Sequence, residues 1–155
     1  MSTFTSEPTV KDAVRRAAHA RRADGKRYDH QRRLSPSVLR EAAARLEQVD
    51  IATSRDFDEL HRLIETTIGP IHGIGELMVY DTALRIGAKL GLAPECVYLH
   101  AGTRQGARAL GLNWRKPYLS VAECPEELHT LEPREIEDCL CIYNDDLKMI
   151  GTSHR

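Results

Sequence analysis

Residues 56–91 read Asp-Phe-Asp-Glu-Leu-His-Arg-Leu-Ile-Glu-Thr-Thr-Ile-Gly-Pro-Ile-His-Gly-Ile-Gly-Glu-Leu-Met-Val-Tyr-Asp-Thr-Ala-Leu-Arg-Ile-Gly-Ala-Lys-Leu-Gly. The pattern is helix, Gly-rich turn, helix. Phe57, Leu60, Leu63, Ile64 and Ile68 recur at helical spacing and define one apolar face. Gly69-Pro70 ends that helix. After Ile71-His72-Gly73-Ile74-Gly75, a second helix carries Leu77, Met78, Tyr80, Ala83, Leu84, Ile86, Leu90 and Leu92, with Gly91 as its stop.

A Gly-Ile-Gly before a helix has two physical uses. Glycine reaches turn conformations closed to other residues and puts no side chain between the backbone and a ligand. The unpaired N–H groups of the next helix start then face outward, where an anion can sit. Alternatively, Gly73 and Gly75 let two helices cross closely, with Ile74 as an apolar plug.

The pattern Ile-x-x-Ile-x-Gly-Ile-Gly, followed by an Ala-containing amphipathic helix, resembles the helix-hairpin-helix motif. Downstream, Pro94-Glu95-Cys96-Val97-Tyr98-Leu99-His100 leads to Ala107-Arg108-Ala109-Leu110-Gly111-Leu112. Over residues 56–112 this order is similar to part of the endonuclease III-type DNA glycosylase superfamily. The resemblance implies a helical scaffold that grips the DNA backbone without reading sequence. It does not carry the chemistry. His100 stands where the family has a catalytic Asp, and Glu76-Leu77 where its strand-cleaving members have a Lys. Of the family's iron–sulfur cysteines, only the spacing Cys139-x-Cys141 offers a close pair.

Bulk composition fits such a scaffold. The chain has 155 residues, 41% hydrophobic and 29% charged, the balance of a globular domain with a real core. It lacks an apolar run near the ~20 residues of a membrane span. Residues 1–8 lack the apolar centre of a secretory signal. A cytoplasmic location and no membrane partner are the expectation. The net charge of −1 conceals a polarity along the chain. Residues 11–40 hold ten Lys/Arg against three acids, whereas residues 121–155 hold nine acids against three bases. The basic part is the electrostatic footprint a nucleic-acid binder would use.

The rest of the chain reads as helices and short connections. Residues 1–8 form a disordered lead-in, 9–150 one helical domain, and 151–155 a loose tail. Thr9 to Ala23 is helical, and Lys26 to Arg33 is a basic stretch. Ser35 caps a helix that Pro36 opens and that runs to about Gln48. Ser54 or Asp56 caps the next. Val97–Gly102 is a buried extended connector, and Thr103 caps a short helix from Arg104 to Leu110. Asn113-Trp114-Arg115-Lys116-Pro117-Tyr118 is an aromatic–basic loop, read either as a base-stacking surface or as a Trp anchoring the loop to the core. A short helix covers Glu126 to Thr130. The last runs from Arg134 to Tyr143, with Ile136, Leu140 and Tyr143 inward and Glu135, Glu137 and Asp138 outward. The fold class is all-α: a compact single-domain bundle of about six or seven helices around a central helix-hairpin-helix.

Candidate chemistry is sparse. His100 sits beside a Gly-bearing turn with Tyr98, Arg104 and Arg108 nearby, and a buried, hydrogen-bonded histidine is its plainer reading. Asp81 is a second acid–base candidate, with a surface pair to Arg85 as its plainer reading. Cys96, Cys124, Cys139 and Cys141 lack a zinc-knuckle spacing, so the expectation is reduced thiols, no metal and no cofactor. No phosphate loop, His-Glu-x-x-His or Gly-x-Ser-x-Gly occurs. The sequence reading is therefore nonspecific binding of nucleic acid, namely the duplex DNA backbone. His72, Gly73, Ile74 and Gly75 form the grip, and Lys26, Arg27, Arg32, Arg33, Arg104 and Arg108 supply positive charge. Two alternatives are a glycosylase-like enzyme with a non-standard site and an interaction module or homo-oligomer.

Overall fold

The computed structural model describes residues 34–143 and 146–147, together with Val14 and Ala18. It is mostly helical, in keeping with the all-α class. Among the described residues there are five α-helices and one two-stranded sheet. The chain divides into two compact units, residues 1–93 and 94–155.

The first unit contains α1 (Pro36–Glu47), α2 (Phe57–Ile68) and α3 (Glu76–Leu90). Helix α1 starts where Ser35 accepts from the Val38 N–H at 3.3 Å and Pro36 presets the first turn. Of the two cap candidates for α2, Asp56 performs the role, accepting from the Glu59 N–H at 2.8 Å. Phe57, Leu60, Ile64 and Ile68 are buried, and Leu63 is half-buried at the edge of that face. Helix α2 packs on both α1 and α3. Gly87 on α3 makes room for the chain that leaves the helix: a Cβ there would lie 2.7 Å from the Leu92 carbonyl oxygen, and 3.5 Å from Leu60 and Phe57 on α2. Gly91, at φ 74°, ends α3 in the left-handed region. Val14 and Ala18 are helical and buried. The remainder of the expected helix over residues 9–23 lies outside the described residues.

The second unit contains β1 (Val97–Tyr98), α4 (Ala101–Ala109), β2 (Tyr118–Leu119) and α5 (Pro133–Ile142). The extended connector is a strand: Val97 pairs with Leu119 and Tyr98 with Tyr118, antiparallel. Val97, Leu99, Ala107, Leu119, Cys124, Ile136 and Leu140 form its core. Three sequence expectations change here. His100, rather than Thr103, occupies the cap position of α4, and Thr103 lies in the first turn. Glu126–Leu128 makes a single 3₁₀ turn. Tyr143 is 53% exposed, because α5 ends at Ile142 before the next inward position is reached.

Candidate functional site

The connection between α2 and α3 is built by local bonds. Ile71 N–H donates to the Ile68 carbonyl at 3.0 Å, and Ile74 N–H to the Ile71 carbonyl at 3.1 Å. Gly73 takes φ 98°, a conformation that L side chains rarely adopt. Gly75 is the extended cap of α3, without a side-chain hydrogen bond. His72, Gly73, Gly75 and Glu76 are exposed. Ile74 is half-buried and packs with Leu34 against Leu39 and Met78, so it plugs the turn onto α1 and α3. Around Gly75 a Cβ would meet nothing within 4 Å among the described residues. The turn is thus pinned from inside by Ile71 and Ile74 and presents its glycine backbone outward.

The local field at this turn is mixed. Burial pushes the His61 imidazole on α2 below its ordinary value, and Glu65, Asp58 and Glu76 partly oppose that shift. Glu76 is therefore felt by His61. Asp81 and Arg85 pair at 3.6 Å, but not on the surface: their side chains are 16% and 6% exposed. The Arg85 stem runs along the buried side of α3, and its charge keeps a carboxylate beside it.

Of the basic residues read as DNA contacts, Lys26, Arg27, Arg32 and Arg33 lie outside the described residues. Arg104 donates to the carbonyls of Trp114 at 2.6 Å, Lys116 at 2.9 Å and Leu99 at 3.4 Å. It ties the 113–117 loop to the start of α4. Two guanidinium groups lie over the Trp114 ring, Arg115 at 4.3 Å and Arg108 at 5.5 Å from its centre, and Trp114 packs against the second core. The loop is anchored by its tryptophan.

His100 is 2% exposed and its Nε2 is hydrogen-bonded to Oε1 of Glu137 on α5. Thr103 fixes the His100 backbone, accepting from its N–H at 2.6 Å and donating to its carbonyl at 2.9 Å. Glu137, expected to face outward, is 5% exposed. One turn further along α5, Cys141 brings a sulfur to the same place. Donor atoms of His100, Glu137 and Cys141 all lie within 4.8 Å of one another. Sequence reasoning found His100 but missed both partners. The available signal was their i, i+4 spacing, which stacks them on one side of a helix. The four cysteines form no disulfide.

Comparisons with protein-family models, curated proteins and solved structures gave no match.

Proposed function

We propose that the chain binds the backbone of duplex DNA without sequence preference, through the His72–Gly75 turn and the start of α3. What supports the reading most is the exposure of Gly73 and Gly75, with Gly73 at positive φ and nothing among the described residues within 4 Å of a Cβ at Gly75. Main-chain donors at a helix start suit a phosphate oxygen, which carries no base identity. The basic residues Lys26, Arg27, Arg32 and Arg33 add the counterion-releasing charge. The enzymatic alternative has less support, since His100 is buried against Glu137 and Asp81 is committed to Arg85.

The test is titration of fluorescent duplex DNA at two salt concentrations. Wild type should bind unrelated duplexes alike and lose affinity steeply with salt. Gly75→Ala, which adds only a methyl in open space, should bind nearly as wild type. Gly75→Asp, which places a carboxylate at the anion position, should bind about tenfold more weakly. The basic residues are best tested by changing all four to Gln, because Val14 and Ala18 are buried and truncation would strip the first core. Equal binding by wild type and Gly75→Asp rules out the turn as the contact.

A further inference from the structure

We propose that His100, Glu137 and Cys141 form a binding site for a single divalent zinc-class metal ion, set between the start of α4 and the face of α5. One nitrogen, one oxygen and one sulfur donor converge, all within 4.8 Å of one another. This is the mixed ligand set that a borderline-soft ion such as Zn²⁺ accepts, and it suits the hard ions Mg²⁺ and Ca²⁺ poorly.

The distances are close to what an ion requires. Bonds of about 2.0–2.3 Å in a tetrahedral arrangement place donors roughly 3.3–3.8 Å apart. The three donors already lie within 4.8 Å of one another, so small side-chain adjustments reach that spacing. The thiol releases its proton to solvent on coordination. The proton of the Nε2–Oε1 hydrogen bond is displaced as well, to solvent or by way of solvent to Nδ1, so that the imidazole presents Nε2 as a lone pair and carries its one proton on Nδ1. Three protein donors leave a fourth position for water.

The surroundings make this more than a chance meeting of polar groups. His100 and Glu137 are 2% and 5% exposed in a unit whose core cluster is apolar. A buried carboxylate–imidazole pair seldom outweighs an apolar replacement in stability, so stability alone does not account for it. Thr103 holds the His100 backbone on both its N–H and its carbonyl. The strongest support is Gly102. A Cβ there would lie 2.8 Å from the Cys141 sulfur and 3.7 Å from the His100 ring carbon Cε1. The missing side chain makes room for the sulfur beside the imidazole.

The experiment uses the full chain, stripped with a chelator and dialysed. It is titrated with Zn²⁺ against a chromophoric competitor, and separately with Co²⁺. Wild type should bind one equivalent of Zn²⁺, and Co²⁺ should give a thiolate charge-transfer band with the strong visible bands of tetrahedral cobalt. Cys141→Ser should lose the charge-transfer band, and Glu137→Gln should weaken Zn²⁺ binding at least about tenfold. Cys139→Ser should leave both readouts unchanged. Gly102→Ala replaces no donor and should still weaken binding by crowding the sulfur. Circular dichroism of each apo variant identifies any that fail to fold, and those that fold decide the matter. Absence of stoichiometric binding by wild type overturns the proposal. So does a charge-transfer band that survives in folded Cys141→Ser or disappears in Cys139→Ser.

Discussion

A Cβ on Gly106 would lie 2.2 Å from the carbonyl oxygen of Leu140 and 2.9 Å from its Cα. Helix α4 therefore meets α5 backbone to side-chain-free backbone, and Gly106 and Leu140 set how closely. The atoms in the way are main chain and cannot rotate aside. Gly106→Ala must push the helices apart, and should destabilise the second unit by about 2–3 kcal/mol despite the better helix propensity of alanine. Urea denaturation followed by Trp114 fluorescence reads that unit, and an unchanged midpoint would mean the crossing is looser than described.

Thr82 makes the opposite case. It is fully buried on α3, and its Oγ1 has no hydrogen-bond partner among the described residues. A buried hydroxyl without a partner carries an uncompensated desolvation cost, and valine has nearly the same shape. Thr82→Val should stabilise the protein by about 1 kcal/mol. Thermal and urea unfolding of the two proteins would measure it, and a destabilised variant would point to a bond that the hydroxyl does make.

Glu123 gives a pH prediction. The hydrogen bond from Lys116 at 2.6 Å, then that from the Ser120 N–H at 2.8 Å, lower its carboxyl from an ordinary 4.5 to about 2. A carboxyl depressed in the folded state contributes stability that is fully present above 4.5 and is lost as pH falls through about 2. The side chain is exposed, so the contribution is small and weakens with salt. Carboxyl NMR titration should show Glu123 protonating last among the exposed glutamates. Lys116→Met should move its midpoint upward without restoring the ordinary value, because the Ser120 N–H remains. A midpoint that Lys116→Met leaves in place would show that the lysine does not engage it.

How far the sequence disclosed this molecule follows from which forces are local. Ser35-Pro36 and Asp56 mark helix starts through bonds within one turn, and α1, α2 and α3 begin and end close to where caps and glycines put them. The strand pair did not show: two residues on each side cannot establish an alternation, and Val97 finds Leu119 only through the fold. By residue type Glu137 belongs outside, because acids are seldom buried. Its place is decided by His100, 37 residues earlier, and no local pattern contains that distance. His100 itself was legible as a buried histidine, but its function as the helix cap was hidden because Thr103 is the better capping type. The tryptophan loop was legible as one of two readings; Trp114 packs against the second core, as the anchoring reading expects, and Arg104 holds the loop through the Trp114 and Lys116 carbonyls.

The last prediction concerns the residue that opposes the proposed DNA contact. Glu76 follows Gly75 directly, is exposed, and is the first residue of α3. A carboxylate there favours the helix dipole, and so suits the free protein, but it repels a phosphate approaching the same N–H groups. Its charge also reaches His61. Glu76→Gln should therefore act in two directions. It should lower stability slightly, by about 0.3–1 kcal/mol, and tighten duplex binding by about twofold to fivefold at low salt. It should also lower the His61 midpoint, since one of the charges that holds it up is removed. Duplex titration and a histidine NMR titration of the same variant check both. Tighter binding with an unshifted His61 would place the repulsion at the phosphate alone, whereas unchanged or weaker binding would mean that phosphate does not sit at the start of α3.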